Sequence, residues 1–252
     1  MYQEERMMAI LHHLKKNRRI SVQEICEMFQ VSRDTARRDL VKLSEQNAII
    51  RTRGGAILPV LKKEVDSYKK RVGMKSKVKE KIGRKAAEKI QPHDYVLMDT
   101  STTVQYAAQA LDIQNVVVVT NSIDIVDILS YKEGVKLHVL GGTFHPHSRY
   151  IYGVSAIRNL QEFRVNKCLM GGGGITEDGI FVKDEEDGQV VKEMIACAEQ
   201  VIVLADHTKF GKQFFYNVCR LEDIDILITD HLPNDWKEFL TKADVEWVVA
   251  EG

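Results

Sequence analysis

The chain has 252 residues, of which 44% are hydrophobic and 29% are charged, and it contains four prolines. This composition is typical of folded domains and excludes an intrinsically disordered or collagen-like chain. Apolar runs such as Val116–Val119 are too short to cross a membrane, and the N-terminus lacks the basic and apolar segments of a signal peptide.

The four cysteines, Cys26, Cys168, Cys197 and Cys219, lie far apart in the sequence. They form no Cys-x-x-Cys pair and no paired histidine spacing accompanies them, so neither a zinc module nor a disulfide framework is predicted. Because unpaired thiols suit a reducing compartment, we expect a cytoplasmic protein.

The net charge of zero conceals two electrostatically different parts of the chain. Residues 1–85 contain 22 Lys and Arg against 10 Asp and Glu, whereas residues 86–252 contain 14 against 26. A basic segment attracts a polyanion such as nucleic acid, and an acidic segment is repelled by one. A solvated Lys-rich helix within residues 62–85 is an alternative explanation for part of the positive charge.

The N-terminal residues carry the apolar spacing of three helices. The first helix covers residues 3–16, the second begins at Ser21, which forms a capping box with Glu24, and the third begins at Ser32 as its N-cap. In the third helix, the apolar residues Ala36, Leu40 and Leu43 are expected to face inward. Its outward positions are mostly charged, and they are Arg33, Asp34, Arg37, Arg38 and Val41.

A basic hairpin is predicted after the third helix. Residues 49–58 alternate apolar and basic side chains around a Gly-Gly pair, and this pattern favours a β-hairpin that carries Arg51 and Arg53. Two short helices joined by a tight turn form a helix-turn-helix. The third helix would then enter a major groove, where arginine donates to guanine edges, and the hairpin would contact phosphates or a minor groove. Alternatively, Arg37 and Arg38 only pair with acids on a solvated helix.

The rest of the chain predicts a second domain. Residues 61–75 are rich in lysine and lack a hydrophobic period, so we expect a linker between a DNA-binding domain of residues 1–60 and a domain of residues 76–252. Apolar runs then alternate with helical segments, which predicts a mainly parallel α/β sheet. The candidate strands are residues 95–98, 116–119, 137–140, 167–170, 201–205, 226–228 and 245–249.

Polar residues and glycines follow six of these strands. They are residues 99–103, 120–122, 141–143, 171–174, 206–209 and 229–230. Because ligands of open α/β sheets bind at the carboxyl ends of the strands, we expect these six segments to converge on one polar pocket. Ser101–Thr103 also precede a predicted helix, whose N-terminus suits a phosphate. Each segment alone could be only a helix cap or a tight turn.

The N-terminal pattern resembles a known family. Val31–Leu40, followed by Arg53–Ala56, is similar to the winged helix-turn-helix of DeoR-type bacterial transcriptional regulators. In that family the recognition helix usually reads Thr-Ile-Arg-Arg-Asp-Leu, and this chain has Ala36 at the isoleucine position. The residues expected to contact DNA are Ser32, Arg33, Thr35, Arg37, Arg38, Arg51, Arg53 and Gly54.

The resemblance extends to the second domain. The motifs Asp99-x-x-Thr102-Thr103, Val119–Ser122, Leu140–Gly142, Gly171–Ile175 and Leu204–Gly211 look like those of the DeoR-type sensor domain. That domain is similar in fold to ribose-5-phosphate isomerase, which implies a phosphorylated sugar as effector. Relatives often have glycine where this chain has Ser101, and the serine is expected to narrow the phosphate site or to change which sugar phosphate fits.

Thirteen residues are expected to bind the effector. They are Asp99, Ser101, Thr102, Thr103, Thr120, Asn121, Gly141, Gly142, Arg149, Gly172, Gly173, Asp206 and Lys209. Arg149 is included because a guanidinium binds phosphate through two donors. We interpret His145 and His147 as surface residues and Asp184–Asp187 as the solvated start of a helix, so no metal site is expected. Gly-x-Gly-x-x-Gly after the first strand of the second domain and the P-loop motif are both missing from the sequence, so no nucleotide cofactor is expected.

The leading hypothesis is a homo-oligomeric repressor, dimeric or tetrameric, that binds a double-stranded DNA operator and responds to a phosphorylated sugar. No membrane contact and no catalytic residue are expected. A second hypothesis is a sugar-phosphate isomerase fused to a DNA-binding head, with Asp99, Asp206 and Lys209 transferring protons. A third is a DNA-binding protein whose second domain only mediates oligomerisation.

Overall fold

The computed structural model describes residues 2–17, 19–45, 48–52, 54–57 and 76–251. The chain divides into two compact units, residues 1–63 and 64–252. The predicted linker of residues 61–75 and the predicted DNA contact Arg53 lie outside the described residues. The exact domain boundaries therefore stay predictions.

The described part of the N-terminal unit contains three helices and a small antiparallel sheet. The helices are α1 (Gln3–Asn17), α2 (Val22–Phe29) and α3 (Arg33–Glu45), and the strands are β1 (Arg19–Ser21), β2 (Ile50–Thr52) and β3 (Gly55–Ile57). The strand order is β1-β3-β2, so the predicted hairpin is present as β2 and β3. The sequence predicted a turn at residues 17–20, where the structure has β1. A strand of three residues is too short to show an alternating pattern, so it could not be recognised from the sequence.

The second helix begins as predicted. Ser21 Oγ accepts from the backbone N–H of Glu24 at 3.1 Å, and Glu24 Oε2 accepts from the backbone N–H of Ser21 at 2.6 Å, which completes the capping box. These hydrogen bonds hold the pKa of Glu24 below its usual range. The helix ends where Gln30 adopts the left-handed conformation, with φ of 52°.

A buried ion pair fixes α3 against α1. Arg6 Nε lies 2.5 Å from Asp39 Oδ2, and Gln3 Nε2 donates to Asp39 Oδ1 at 2.8 Å. The hydrogen bond with Asp39 raises the pKa of Arg6, against the effect of burial. Because Asp39 points into the unit together with Ala36 and Leu40, the arginines beside it on α3 face outward.

The described part of the C-terminal unit contains six α-helices and twelve strands. The helices are α4 (Lys77–Ala87), α5 (Thr102–Ala110), α6 (Ile123–Leu129), α7 (Val154–Gln161), α8 (Glu185–Ala196) and α9 (Trp236–Lys242). The strands up to the middle of the domain are β4 (Tyr95–Met98), β5 (Val116–Thr120), β6 (Val135–Val139), β7 (Thr143–His145), β8 (Tyr150–Tyr152) and β9 (Val165–Gly171). The later strands are β10 (Gly174–Thr176), β11 (Gly179–Val182), β12 (Ala198–Leu204), β13 (Tyr216–Cys219), β14 (Ile226–Thr229) and β15 (Glu246–Val249).

Seven strands form one parallel sheet in the order β15-β14-β12-β9-β4-β5-β6. All seven predicted strands lie in it, which confirms the predicted parallel α/β fold. Side chains alternate between its two faces: Leu97 packs with α7, α8 and α9, whereas Val96 and Met98 pack with α4, α5 and α6. Among the described residues, no helix is both long and apolar enough to span a membrane.

The strand order places a topological switch point between β4 and β9. From β4 the chain moves outward through β5 to β6, and from β9 it moves outward in the opposite direction through β12 and β14 to β15. Connections that leave neighbouring strands in opposite directions open a crevice at the carboxyl ends of those strands. The sequence cannot reveal this point, because it depends on the lateral order of the strands.

Two small antiparallel sheets were not predicted. One consists of β7 and β8, and the other has the order β10-β11-β13. Their strands have three or four residues, and glycines at Gly174 and Gly179 obscure the alternation of side chains.

Candidate functional site

A cavity of about 460 Å³ lies where β4 and β9 end. Seven of the predicted effector-binding residues line it: Asp99, Ser101, Thr102, Thr103, Gly172, Gly173 and Lys209. They come from the segments that follow β4, β9 and β12, which are neighbours in the sheet. The cavity therefore occupies the crevice that the switch point creates.

Asp99 joins the two segments at the floor of the cavity. Its Oδ1 accepts from the backbone N–H of Ser101 at 2.7 Å, and its Oδ2 accepts from the backbone N–H of Gly171 at 2.8 Å. The side chain is 5% exposed, so these charge-assisted hydrogen bonds are shielded from water. Asp99 thus fixes the backbone at the start of α5 relative to the end of β9.

Ser101 caps α5 and also lines the cavity. Its Oγ accepts from the backbone N–H of Thr103 at 3.1 Å. The side chain is accommodated because residue 171 is glycine: a Cβ there would lie 2.1 Å from Ser101 Oγ. The first turn of α5, with Thr102 and Thr103, lines the cavity and presents the positive end of the helix dipole to it.

Two lysines add positive charge near the start of α5. Lys79, on α4, donates from Nζ to Thr102 Oγ1 at 2.8 Å, and Lys209 follows β12. Both lysines lower the pKa of Asp206, so both lie close to that carboxyl. Burial, the largest influence on Asp206, raises its pKa, but hydrogen bonds from Thr208 and the two positive charges together hold it below its usual range.

A second part of the cavity wall is acidic and aromatic. The β7–β8 hairpin contributes His145, His147, Ser148 and Tyr150, and the start of α8 contributes Lys183, Asp184 and Asp187. The rings of His145 and Tyr150 stack with centroids 5.0 Å apart. Burial, together with the charges of Asp187 and Asp184, raises the pKa of Tyr150, so its hydroxyl stays protonated.

Sequence reasoning did not include this second wall in the site. Asp184–Asp187 form the start of α8 and His147 is exposed, as predicted, and these segments also line the cavity through His145, His147, Asp184 and Asp187. The hairpin that carries the histidines was the missing information. Lys79 was also missed, because the packing of α4 on α5 brings it to the cavity. Among the described residues, no group of His, Cys, Asp and Glu could hold a metal ion.

Two predicted residues after β5 organise the backbone beside the cavity. Thr120 is fully buried; its Oγ1 donates to the carbonyl of Met98 at 2.7 Å and accepts from the backbone N–H of Ser122 at 3.0 Å. Asn121 Nδ2 donates to the carbonyl of Ile151 at 3.0 Å. These contacts tie the end of β5 to β4 and to the β7–β8 hairpin.

Four further predicted residues are not among the described residues that line the cavity. The backbone N–H of Gly141 donates to Asn159 Oδ1 at 3.2 Å, and Gly142 packs against the carbonyl of Tyr152. Asp206 caps the short helix His207–Lys209 through Thr208. Arg149 pairs with two carboxylates of α6, Asp124 and Asp127, each at 2.7 Å.

Strand order explains part of this distribution. β5 and β6 lie one and two strands beyond β4, and neighbouring strands are about 4.8 Å apart. The residues that follow β6 are therefore about 10 Å from the line of β4. Contact of any of the thirteen residues with an effector stays a prediction.

The N-terminal unit presents the predicted DNA-contacting arginines to solvent. Arg33, Arg37 and Arg38 are exposed on α3, and Arg51 is exposed on β2. Ser32 caps α3, since its Oγ accepts from the backbone N–H of Thr35 at 3.2 Å. The exposed turn residue Gly54 accepts from the backbone N–H of Val22 at 2.8 Å, which attaches the hairpin to the start of α2.

Solved structures that resemble part of the chain include the following two proteins. Ribose 5-phosphate isomerase from Plasmodium falciparum has a TM-score of 0.39 and 17% identity, over 53% of this chain and 52% of that one. eIF2B beta from Chaetomium thermophilum has a TM-score of 0.43 and 18% identity, over 60% of this chain and 47% of that one. The chain spans about half the length of these proteins.

Sequence comparison covers both units. Residues 6–60 match the family described as DeoR-like helix-turn-helix domain, and residues 74–231 match the DeoR C terminal sensor domain. The HTH-type transcriptional repressor GlcR of Bacillus subtilis is 51% identical over 252 residues, 100% of this chain and 98% of that protein. The Glycerol-3-phosphate regulon repressor of Escherichia coli is 31% identical over 235 residues, 92% of this chain and 93% of that protein. The chain belongs to the DeoR family of transcriptional regulators.

Proposed function

We propose that this protein is a repressor of transcription whose affinity for its DNA operator changes when a phosphorylated sugar binds the cavity. The observation that carries the proposal is the cavity itself, in which the N-terminus of α5 and two lysines surround one region. Two of its relatives are named as transcriptional repressors, which supports repression rather than activation for this protein.

The chemistry of the cavity favours a phosphate at one end. Thr102 and Thr103 offer hydroxyls and the backbone N–H groups of a helix N-terminus, and Lys79 and Lys209 offer ammonium groups. A phosphate dianion is stabilised by such donors and by the helix dipole. Each feature alone is common in proteins, but their meeting in one cavity indicates an anionic ligand.

The acidic wall favours hydroxyl groups on the rest of the ligand. The carboxylates of Asp184 and Asp187 accept hydrogen bonds, and the protonated Tyr150 hydroxyl can donate one. A second phosphate near these carboxylates would be repelled. A sugar with one phosphate matches both walls, because its hydroxyls donate to carboxylates while its phosphate faces the lysines.

The N-terminal unit supplies the DNA contacts in this proposal. Arg37 and Arg38 on α3 face solvent, as a recognition helix requires, and Arg51 on the hairpin is placed for phosphate or minor-groove contact. Helix-turn-helix proteins bind repeated half-sites as dimers, so we expect a homo-oligomer.

We do not assign catalysis to this cavity. Both carboxylate oxygens of Asp99 accept backbone N–H groups, and Asp206 is engaged with Thr208 and has a lowered pKa. A general base for isomerisation works best with a pKa near the operating pH, whereas the pKa of Asp206 lies below its usual range. The relatives' names describe regulators.

A thermal-shift screen of the full chain tests the effector. The panel is glucose 6-phosphate, fructose 6-phosphate, ribose 5-phosphate, the matching unphosphorylated sugars and inorganic phosphate. A ligand at 100 times its Kd stabilises by about 2.7 kcal/mol, which raises Tm by several degrees. The expected result is a shift with one or two phosphorylated sugars that is lost in Lys209→Ala.

The same sugars are tested in a DNA-binding assay and an isomerase assay. A duplex selected from a random library by the wild-type protein should be released when the stabilising sugar is added. No shift with any phosphorylated sugar would refute the proposed effector class. Turnover of a sugar phosphate would support the enzyme hypothesis instead.

A further inference from the structure

Lys79 belongs both to the cavity and to the first turn of α4. Its Nζ donates to Thr102 Oγ1 at 2.8 Å, and its backbone N–H donates to the N-cap Ser76 Oγ at 3.4 Å. It lies three positions after Ser76, which is the first described residue after positions 58–75. The described part of the sensor unit therefore begins one helical turn from a residue that lines the cavity.

A second contact fixes the same turn to α5 from outside the cavity. The backbone N–H of Ser76 donates to the hydroxyl of Tyr106 at 3.1 Å. Tyr106 lies on α5, four residues after Thr102, and is not among the described residues that line the cavity. α4 and α5 are also packed together through Ile82, Ala86 and Ala107. The start of α4 is thus attached to the effector-binding helix at two points.

We propose that Lys79 is the residue that transmits effector binding to the connection with the DNA-binding unit. The inference rests on the proposed function and specifies how the same site regulates. Lys79 Nζ donates to the neutral hydroxyl of Thr102, and its charge also acts on the carboxylate of Asp206; a phosphate dianion at the start of α5 attracts the ammonium group more strongly than either, because it carries more negative charge. A phosphate at the start of α5 therefore draws Lys79 Nζ toward itself.

A displacement of Lys79 that includes its backbone also affects Ser76. The two residues share the first turn of α4, where the backbone N–H of Lys79 donates to Ser76 Oγ, so such a displacement changes how Ser76 is held between its own helix and Tyr106. Regulation requires that the effector bind one arrangement of the connection more tightly than another. The Lys79–Ser76–Tyr106 contacts supply a structural element on which the effector can act in this way.

The experiment measures coupling separately from affinity. Operator Kd is measured for the full-length protein without and with a saturating concentration of the phosphorylated sugar that gives the largest thermal shift. The DNA is the duplex selected by the wild-type protein, and the ratio of the two Kd values is the coupling factor, typically about 5 to 150 for regulated proteins. Effector affinity is measured by titration calorimetry on the DNA-free protein.

Three variants distinguish transmission from binding. Lys79→Gln removes the charge at the start of α4, Lys209→Gln removes a cavity charge that is not on α4, and Tyr106→Phe removes only the hydroxyl outside the cavity. We expect all variants to bind operator in the absence of sugar. Lys209→Gln should bind the sugar more weakly but keep the wild-type coupling factor at saturation. Lys79→Gln and Tyr106→Phe should lower the coupling factor to below about 2, whereas regulated proteins typically have a factor of about 5 to 150.

The outcomes are distinct. A wild-type coupling factor of 1 with every phosphorylated sugar overturns the proposed function. A normal wild-type factor with unchanged factors in both Lys79→Gln and Tyr106→Phe overturns the transmission proposal alone. If Lys79→Gln loses all sugar binding, Tyr106→Phe decides, because its hydroxyl lies outside the cavity: a retained wild-type factor rejects the proposal, and a lowered factor supports it.

Discussion

Ser101 and Gly171 share one space at the floor of the cavity: a Cβ on residue 171 would lie 2.1 Å from Ser101 Oγ and 2.3 Å from Ser101 Cβ. Ser101 follows β4 and Gly171 is the last residue of β9, so the adjacency of these two strands brings the residues together. The serine that departs from the family pattern is therefore compatible with the fold only while residue 171 has no side chain.

Gly171→Ala should damage the sensor unit through this contact. Overpacking a tight site costs about 1–3 kcal/mol, which lowers Tm by a few degrees and displaces the N–H that Asp99 holds. The double variant Ser101→Gly/Gly171→Ala should recover most of the loss, since glycine at an N-cap costs only a few tenths of a kcal/mol. Thermal denaturation of the wild type, Gly171→Ala, Ser101→Gly and the double variant gives the coupling energy between the two positions. A double variant as unstable as Gly171→Ala would contradict the steric contact between residues 101 and 171.

Asp39→Asn should unfold the N-terminal unit preferentially. Asp39→Asn removes the negative charge from the buried pair with Arg6, and breaking such a pair costs about 3–5 kcal/mol. Both tryptophans, Trp236 and Trp247, lie in the other unit, so hydrogen exchange of peptides from residues 2–57 is the appropriate measurement. Exchange there should accelerate while peptides from the sensor unit stay protected. Arg6→Met/Asp39→Leu is the control and should be less destabilised than Asp39→Asn.

Arg37→Ala and Arg38→Ala should weaken DNA binding without affecting the sensor. A base contact contributes about 1–3 kcal/mol, so specific affinity should fall by roughly 5- to 150-fold. Arg84→Ala, which removes an exposed arginine from α4, is the matched control and should leave operator affinity unchanged. Fluorescence anisotropy with the selected duplex measures each Kd. Full affinity in both α3 variants would refute the assignment of α3 as recognition helix.

Asp206 should contribute stability that is lost only at acid pH. Burial raises its pKa, but hydrogen bonds from Thr208 and the charges of Lys209 and Lys79 lower it further than burial raises it. The pKa of Asp206 in the folded protein is below its value of about 3.9 in the unfolded chain. The stabilisation by ionised Asp206 is therefore fully present above about pH 3.9 and is lost as the pH falls through the folded pKa. Asp206→Asn should therefore flatten the acid decline of Tm below about pH 4. Equal slopes in both proteins there would contradict this account.

The central parallel strands were predictable because they are buried on both faces. Val116–Thr120 and Val201–Leu204 read as continuous apolar runs, which the sheet requires when helices cover it on both sides. The helices of the N-terminal unit were predictable for a different reason, since Ser21 and Ser32 mark their starts. Local chemistry was sufficient for both.

The site was only partly predictable, because lateral strand order is not a local property. Thr102 and Lys209 meet in the cavity because β4, β9 and β12 are neighbours, whereas the segment at Gly141 follows an edge strand. Arg149, which is expected to contact a phosphate, pairs with Asp124 and Asp127 of α6 in this structure, and its contact with an effector stays a prediction. No sequence period could indicate which anion would be its nearest partner.

The hydrogen bond between Asp99 and Gly171 closes a loop of 72 residues. During synthesis the ribosome completes the helices and hairpin of the N-terminal unit long before residue 171 emerges. A nascent or truncated chain that ends before β9 contains the arginines of α3, but it contains only the part of the cavity floor that follows β4. Any fragment of this kind that binds an operator would be insensitive to sugar phosphates, so effector control exists only once translation has passed β9.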